Sequence, residues 1–165
     1  MGTREHSFHQ RFGQGRWFRR EVRASAEIGA PIDRVWAVLV DFPRYSTWNP
    51  FTPRVRATLE VGTPVQLWVH MPRRARRRTT EWINRIEPGR TLCWGMHLGS
   101  RWLLCANRWQ QLEPLSERRT RYTTVDRLSG LLAPLVMLLY GEPMRQGFQL
   151  AADGLAARFM AGRDA

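Results

Sequence analysis

The stretch EPMRQGFQLAADGLAARF, residues 142–159, decides the fold. Within it Met144, Phe148, Ala151, Leu155 and Phe159 recur every three or four positions, which places them in one apolar stripe along a helix of about four turns. Such a helix must lie on something. Upstream, the hydrophobic period is two instead of three to four. Val22, Ala24, Ala26 and Ile28 alternate with Arg23, Ser25 and Glu27, the mark of a half-buried strand. Six further candidate strands follow at residues 54–60, 65–70, 80–87, 91–97, 102–113 and 120–128. The separators between them are short: Val61-Gly62-Thr63-Pro64, an Arg-rich loop at 72–79, Pro88-Gly89, Leu98-Gly99-Ser100 and residues 114–119. Connections of this length join antiparallel neighbours. The pattern predicts an α+β fold in which a strongly curved antiparallel sheet of about seven strands wraps around the C-terminal helix.

Two short helices are predicted after the first strand. Pro31 at an early helical position, Asp33 in the first turn and the apolar Val35, Trp36, Val38 and Leu39 predict one short helix, stopped by Asp41-Phe42-Pro43. Tyr45-Ser46-Thr47-Trp48 reads as one more helical turn, and Asn49 before Pro50 as extended chain. Near the other end, residues 131–140 read as a short buried helix bent at Pro134, separate from the long one. Residues 1–16 are polar and aperiodic, so a disordered tail is expected there, followed by a single domain over 17–162.

Composition narrows the class. The 165 residues are 43% hydrophobic and 24% charged, as in an ordinary globular domain and unlike a disordered chain. The longest mostly apolar run, 131–140, has about half of the roughly 20 residues that a bilayer-crossing helix needs. The first 30 residues carry six arginines and no apolar core of a secretory signal, so a cytoplasmic protein is expected. All 26 basic residues are arginine, and with 14 acids the net charge is +12. Total exclusion of lysine reads as codon bias over a solvated basic surface. Cys93 and Cys105 are too few for a disulfide framework and lack the close pairing of a zinc site, so free thiols and no metal are expected; both fall in the outward phase of their strands and, across a tight hairpin, would face each other. No serine sits in a nucleophile elbow and no glycine-rich turn suits a nucleotide, so no cofactor is expected.

Several motifs resemble one known family. Glu27-Ile28-Gly29-Ala30-Pro31-Ile32-Asp33-Arg34-Val35-Trp36 is similar to a strand-to-helix entry in which Ala-Pro precedes a helix with Val-Trp. Asp41-Phe42-Pro43-Arg44-Tyr45-Ser46-Thr47-Trp48-Asn49-Pro50-Phe51 is similar to an Asp-Phe, Tyr, Trp-Asn-Pro segment. Glu87-Pro88-Gly89-Arg90 with Leu92 and Trp94, Leu112-Glu113-Pro114, and Ser129-Gly130-Leu131-Leu132 before Gly147-Phe148 complete the likeness over residues 20–160. The chain thus resembles the SRPBCC group of the START-related superfamily, in its polyketide cyclase/dehydrase-like branch. The resemblance implies a helix-grip fold with an apolar cavity between sheet and long helix, and hydrophobic small molecules as its ligands. Fold alone does not choose between catalysis and carriage.

Alternation assigns the side chains that face that cavity. The apolar phase runs through Val65, Leu67 and Val69, through Leu92, Trp94 and Met96, and through Leu104, Ala106, Arg108, Gln110 and Leu112. On the seventh strand it runs through Tyr122, Thr124, Asp126 and Leu128. Arg108 and Asp126 are unexpected there, because an unpaired charge in an apolar interior costs several kcal/mol. A pair across neighbouring strands, completed by Gln110, Thr124 and Tyr122, would satisfy them. As a functional set, Arg108, Asp126 and Tyr122 are the catalytic candidates, for acid–base or oxyanion work. Trp48, Asn49, Phe51, Leu67, Trp82, Trp94, Met96, Gln110, Thr124, Met144 and Phe148 are the ligand-binding candidates. Three readings stay open: a cofactor-free cyclase or dehydratase acting on a lipid, polyketide or aromatic, a non-enzymatic lipid or quinone carrier, and a stress or regulatory module without a small ligand, whose pocket its own side chains would fill.

The surface adds partner calls. Arg73, Arg74, Arg76, Arg77 and Arg78 form a loop suited to peripheral contact with an anionic membrane, at roughly 1 kcal/mol per arginine. Nucleic acid is not expected, since no aromatic residues interleave that run. Trp68 and Trp109 fall in the outward phase, where an open apolar patch would suit a homodimer.

Overall fold

The computed structural model describes residues 18–160. The expected tail at 1–16 lies outside them. Seven strands form one sheet: β1 (Arg19–Ile28), β2 (Arg54–Ala57), β3 (Pro64–Val69), β4 (Arg77–Glu87), β5 (Thr91–Leu98), β6 (Leu104–Ser116) and β7 (Arg119–Ser129). Their spatial order is β1-β7-β6-β5-β4-β3-β2, antiparallel throughout. Helix α1 (Ile32–Val40) and a 3-10 turn (Phe42–Thr47) follow β1, and helix α2 (Ala133–Met160) closes the chain across the sheet. This is the sheet-and-helix arrangement that the alternating pattern predicts, and the helix-grip fold that the family resemblance implies.

Short polar links fix the entry to the domain. The Thr120 hydroxyl on β7 donates to the carbonyl of Ala30 at 2.8 Å, and the Tyr45 hydroxyl donates to Leu39 at 2.6 Å, tying the 3-10 turn to α1. Tyr45 is fully buried, and that burial raises its phenol pKa. It packs against Trp48 at 4.7 Å between ring centroids.

Four expectations about the elements need correction. The segment 131–140 is no separate buried helix: α2 runs unbroken from Ala133, with Pro143 inside it, and Leu131, Leu135, Leu138 and Leu139 stand exposed. Strand β2 stops at Ala57, and β4 starts at Arg77, so the last residues of the arginine run are already in the sheet. Cys93 lies opposite Trp109 and Cys105 opposite His97, so the two thiols do not face each other. Outward Trp68 and Trp109 form no open patch, because Arg54, Arg56 and Arg78 lie over the first ring and Arg127 over the second.

The halves of α2 meet the sheet differently. Ala151, Ala152 and Leu155 are completely buried, and α2 packs mainly on β1 and β7. A Cβ on Gly154 would come within 2.0 Å of the Trp48 carbonyl oxygen, so only glycine permits this approach. Toward its N-terminal half the helix stands off the sheet.

Candidate functional site

The space under that half is a cavity of about 310 Å³ between β3–β7 and α2. Its wall is mainly apolar: Leu67, Val69 and Met71 on one side, Trp94, Met96, Leu104 and Leu128 on the floor, Val136, Tyr140, Met144 and Phe148 from the helix, and Phe51 from the segment after the 3-10 turn. Clefts of about 580, 440 and 340 Å³ on the outside are larger but bring no carboxylate and base together. Five charged residues line the apolar chamber: Arg77 and Arg78 at the start of β4, and Glu81, Arg108 and Asp126, the three on which the chemistry turns.

The register explains the last two. Arg108 on β6 lies opposite Asp126 on β7, with Ala106 opposite Leu128 and Gln110 opposite Thr124, so all share the concave face. They are neighbours but not an ion pair. Every ion pair of the described residues lies on the outer surface, and none involves Arg108, Asp126 or Glu81. Arg108 is instead held by its Nε donating to Thr124 Oγ1 at 3.1 Å, with its guanidinium over the Phe148 ring at 4.4 Å and near Phe51 at 5.5 Å. Cation–π contact of this kind contributes about 1–2 kcal/mol when desolvated, which offsets only part of the burial cost. Arg108 Nη2 and Asp126 Oδ1 are shielded from solvent and have no hydrogen-bond partner. Each orphaned group costs about 1–3 kcal/mol.

Electrostatics divides the two carboxyls. Burial pushes the Asp126 carboxyl up to about 6, against the pull of Arg108. Glu81 is pushed further, to about 8, by burial first and the Asp126 charge second, with Arg108 opposing. At neutral pH the geometry therefore sets a carboxylate and a protonated carboxylic acid beside one guanidinium. Two like groups whose surroundings drive their pKa values apart make a division of acid and base roles.

The remaining candidates fall into three groups. Phe51, Leu67, Trp94, Met96, Met144 and Phe148 line the cavity. Thr124, Gln110 and Tyr122 lie buried behind the lining: Thr124 holds Arg108, and the Tyr122 hydroxyl donates to Gln110 Oε1 at 3.0 Å. Burial raises the Tyr122 phenol pKa, and its contacts make it a support for the wall. Trp48, Asn49 and Trp82 are away from the cavity. Trp48 is core beneath Gly154, and Asn49 Oδ1 accepts from the Thr52 amide at 2.8 Å, fixing the turn that delivers Phe51. Trp82 is 44% exposed on the outer face. The reason is a bulge in β4 between Ile83 and Arg85: reading back from inward Ile86 puts Trp82 inside, but the extra residue flips the phase. That same flip brings in Glu81, which alternation missed; the signal for it was Ile83, two positions on.

Fold and chamber together define a helix-grip protein with a polar triad in an apolar pocket. The chain belongs to the family described as polyketide cyclase/dehydrase and lipid transport, which it matches over residues 19–159. Solved structures agree on the fold. The Zhui aromatase/cyclase of a Streptomyces species superimposes with a TM-score of 0.70 at 16% identity, covering 86% of this chain and 94% of that one. A Thermus thermophilus protein gives 0.67 at 17% identity, covering 87% and 99%. Truncated norcoclaurine synthase from Thalictrum flavum gives 0.62 at 13% identity, covering 84% and 91%. No curated protein matches the sequence.

Proposed function

We propose that the cavity binds a hydrophobic cyclic or aromatic small molecule carrying carbonyl or hydroxyl oxygens, and promotes its cyclisation or dehydration by acid–base chemistry. The observation that carries this reading is the pair of shielded, unpartnered atoms, Arg108 Nη2 and Asp126 Oδ1, at the edge of an apolar chamber. A ligand oxygen would satisfy the first and a ligand C–H or O–H the second. The family description and the aromatase/cyclase likeness support it.

In this mechanism the ionised Asp126 takes a proton from a carbon next to a carbonyl. Arg108 holds the oxygen on which the negative charge develops, where a preorganised donor in a dry site is most effective. The enolate carbon attacks a second carbonyl of the same folded chain, and Glu81 gives that oxygen its proton. The resulting hydroxyl then leaves as water with the proton that Asp126 took, while Glu81, now a carboxylate, takes the second proton of the attacking carbon, so the dehydration returns both carboxyls to their starting states. The apolar walls fold the substrate and exclude competing water.

Binding and turnover separate the enzyme from a simple carrier of lipid or quinone. Native mass spectrometry of the purified protein, then denaturing extraction, is expected to reveal a retained hydrophobe. Asp126→Asn should keep it while slowing conversion of a linear polyketone analogue by about 10²–10⁴-fold. Arg108→Met should lose both, yet leave the fold unharmed or stabilised, since an apolar isostere removes an unpaired buried charge. Retained ligand with no turnover in any variant would leave the carrier reading; a chamber that neither retains nor takes up any hydrophobe sinks both.

A further inference from the structure

We propose that the rim of this cavity is a docking surface for an anionic lipid bilayer, from which the ligand of the proposed pocket enters. Three elements meet there. The first is the start of α2, where Leu135, Leu138 and Leu139 share one helical face with Leu131 in the turn just before it, all four 46–82% exposed. The opposite face of the same turns, Val136 and Tyr140, walls the cavity. A convex apolar ridge and the chamber are thus two sides of one helix.

The second element is the turn between β5 and β6. Backbone hydrogen bonds from the Leu131 amide to Trp102 and from the Leu132 amide to Leu103, both 3.0 Å, fasten it to the head of the helix. Trp102, 66% exposed, is thereby held next to Leu131, and Leu98 is exposed at the end of β5 before the same turn. The third is the arginine loop between β3 and β4. Pro143 has no N–H to give the Leu139 carbonyl, four residues before it. Arg74 Nη2 donates to that carbonyl instead, and Arg74 and Arg77 lie over Tyr140 at 5.0 and 5.9 Å. Among the described residues, Arg73, Arg74, Arg76, Arg77 and Arg78 make no ion pair with a carboxylate.

Charge chooses the occupant. A second copy would set one arginine cluster against another, so the ridge is unsuited to self-association. A bilayer needs no complementary groove: leucine and tryptophan enter the acyl boundary while arginines sit among lipid phosphates. The net charge of +12 draws the protein to such a surface from a distance.

The test is sedimentation of the whole protein with vesicles, read with no ligand present. Binding is expected to equimolar phosphatidylglycerol and phosphatidylcholine, and to fall at least about tenfold on phosphatidylcholine alone. Leu135→Ser with Leu138→Ser, and separately Arg73→Ser with Arg76→Ser, should each weaken anionic-vesicle binding by about tenfold. These side chains are exposed, so an unchanged melting temperature will certify the fold. Retention of a hydrophobe by the cavity is expected to persist in both variants, so the docking surface and the pocket can fail separately. Absence of wild-type binding to anionic vesicles overturns the proposal and points to an acidic protein partner. So does binding indifferent to the leucine changes, or a wild-type dimer that those changes dissolve while vesicle binding is unaltered.

Discussion

The two ends of α2 rest on the same sheet and do opposite things. At the C-terminal end Ala151, Ala152 and Gly154 let backbone meet backbone, and nothing is left between them. At the N-terminal end Tyr140, Met144 and Phe148 hold the helix away, and the sheet beneath presents Arg108, Asp126 and Glu81. Small residues make the joint and large ones make the chamber. A cavity in a close-packed protein therefore needs both: a tight hinge that fixes the helix and a prop that keeps its other end raised.

Breaking the tight end should have the largest effect. Gly154→Val places carbon against the Trp48 carbonyl, a backbone atom that cannot swing aside, and is expected to cost about 4 kcal/mol or more in urea unfolding. Gly147→Ala meets the Phe51 ring, which has the chamber to turn into. Its cost should be only about 1–2 kcal/mol, with a loss of ligand capacity instead. Equal destabilisation by the two changes would erase the distinction between the ends.

A smaller effect comes from pH. Glu81 has a folded pKa of about 8, above the ordinary carboxyl value, so the folded state holds a proton that the unfolded chain releases. Its contribution is therefore fully favourable below about pH 4.5 and declines as pH rises toward 8. After allowance for solvent in the cavity, that decline is expected to be about 1 kcal/mol. Glu81→Gln should flatten this window relative to the wild type; coincident pH–stability curves would show that the carboxyl is not held in the chamber. Smallest is Arg74→Ala, expected within about 0.5 kcal/mol because water can replace its hydrogen bond at the exposed rim. Faster amide exchange confined to residues 72–78 would register the lost tether.

Much of this was legible in the sequence because period-two alternation is unambiguous on long strands. It fixed the inward phase of β6 and β7, and hence Arg108 and Asp126. It failed where geometry departs from the period. On β4 one bulged residue exchanged Trp82 for Glu81, and its local trace is a single apolar residue, Ile83, out of phase with Ile86. In residues 131–140 the leucines satisfy a buried helix as well as an exposed one, since hydropathy does not say which side is covered. Nor does a shared register position foretell an ion pair: Arg108 and Asp126 lie opposite in backbone, yet the guanidinium prefers two phenyl rings and a threonine.

One feature of the topology governs how the molecule is born. Strand β1 bonds to β7, with Arg19 opposite Ser129, so the earliest strand to leave the ribosome waits for the latest. The sheet grows by local hairpins from β2 onward, but its closing edge and the helix above it require β7 and α2 to have been made. Such distant pairing slows folding and leaves Val22, Ala24 and Ile28 without cover during synthesis. The chamber is accordingly the last part of the molecule to exist, and a hydrophobe present at that moment would be enclosed as it forms.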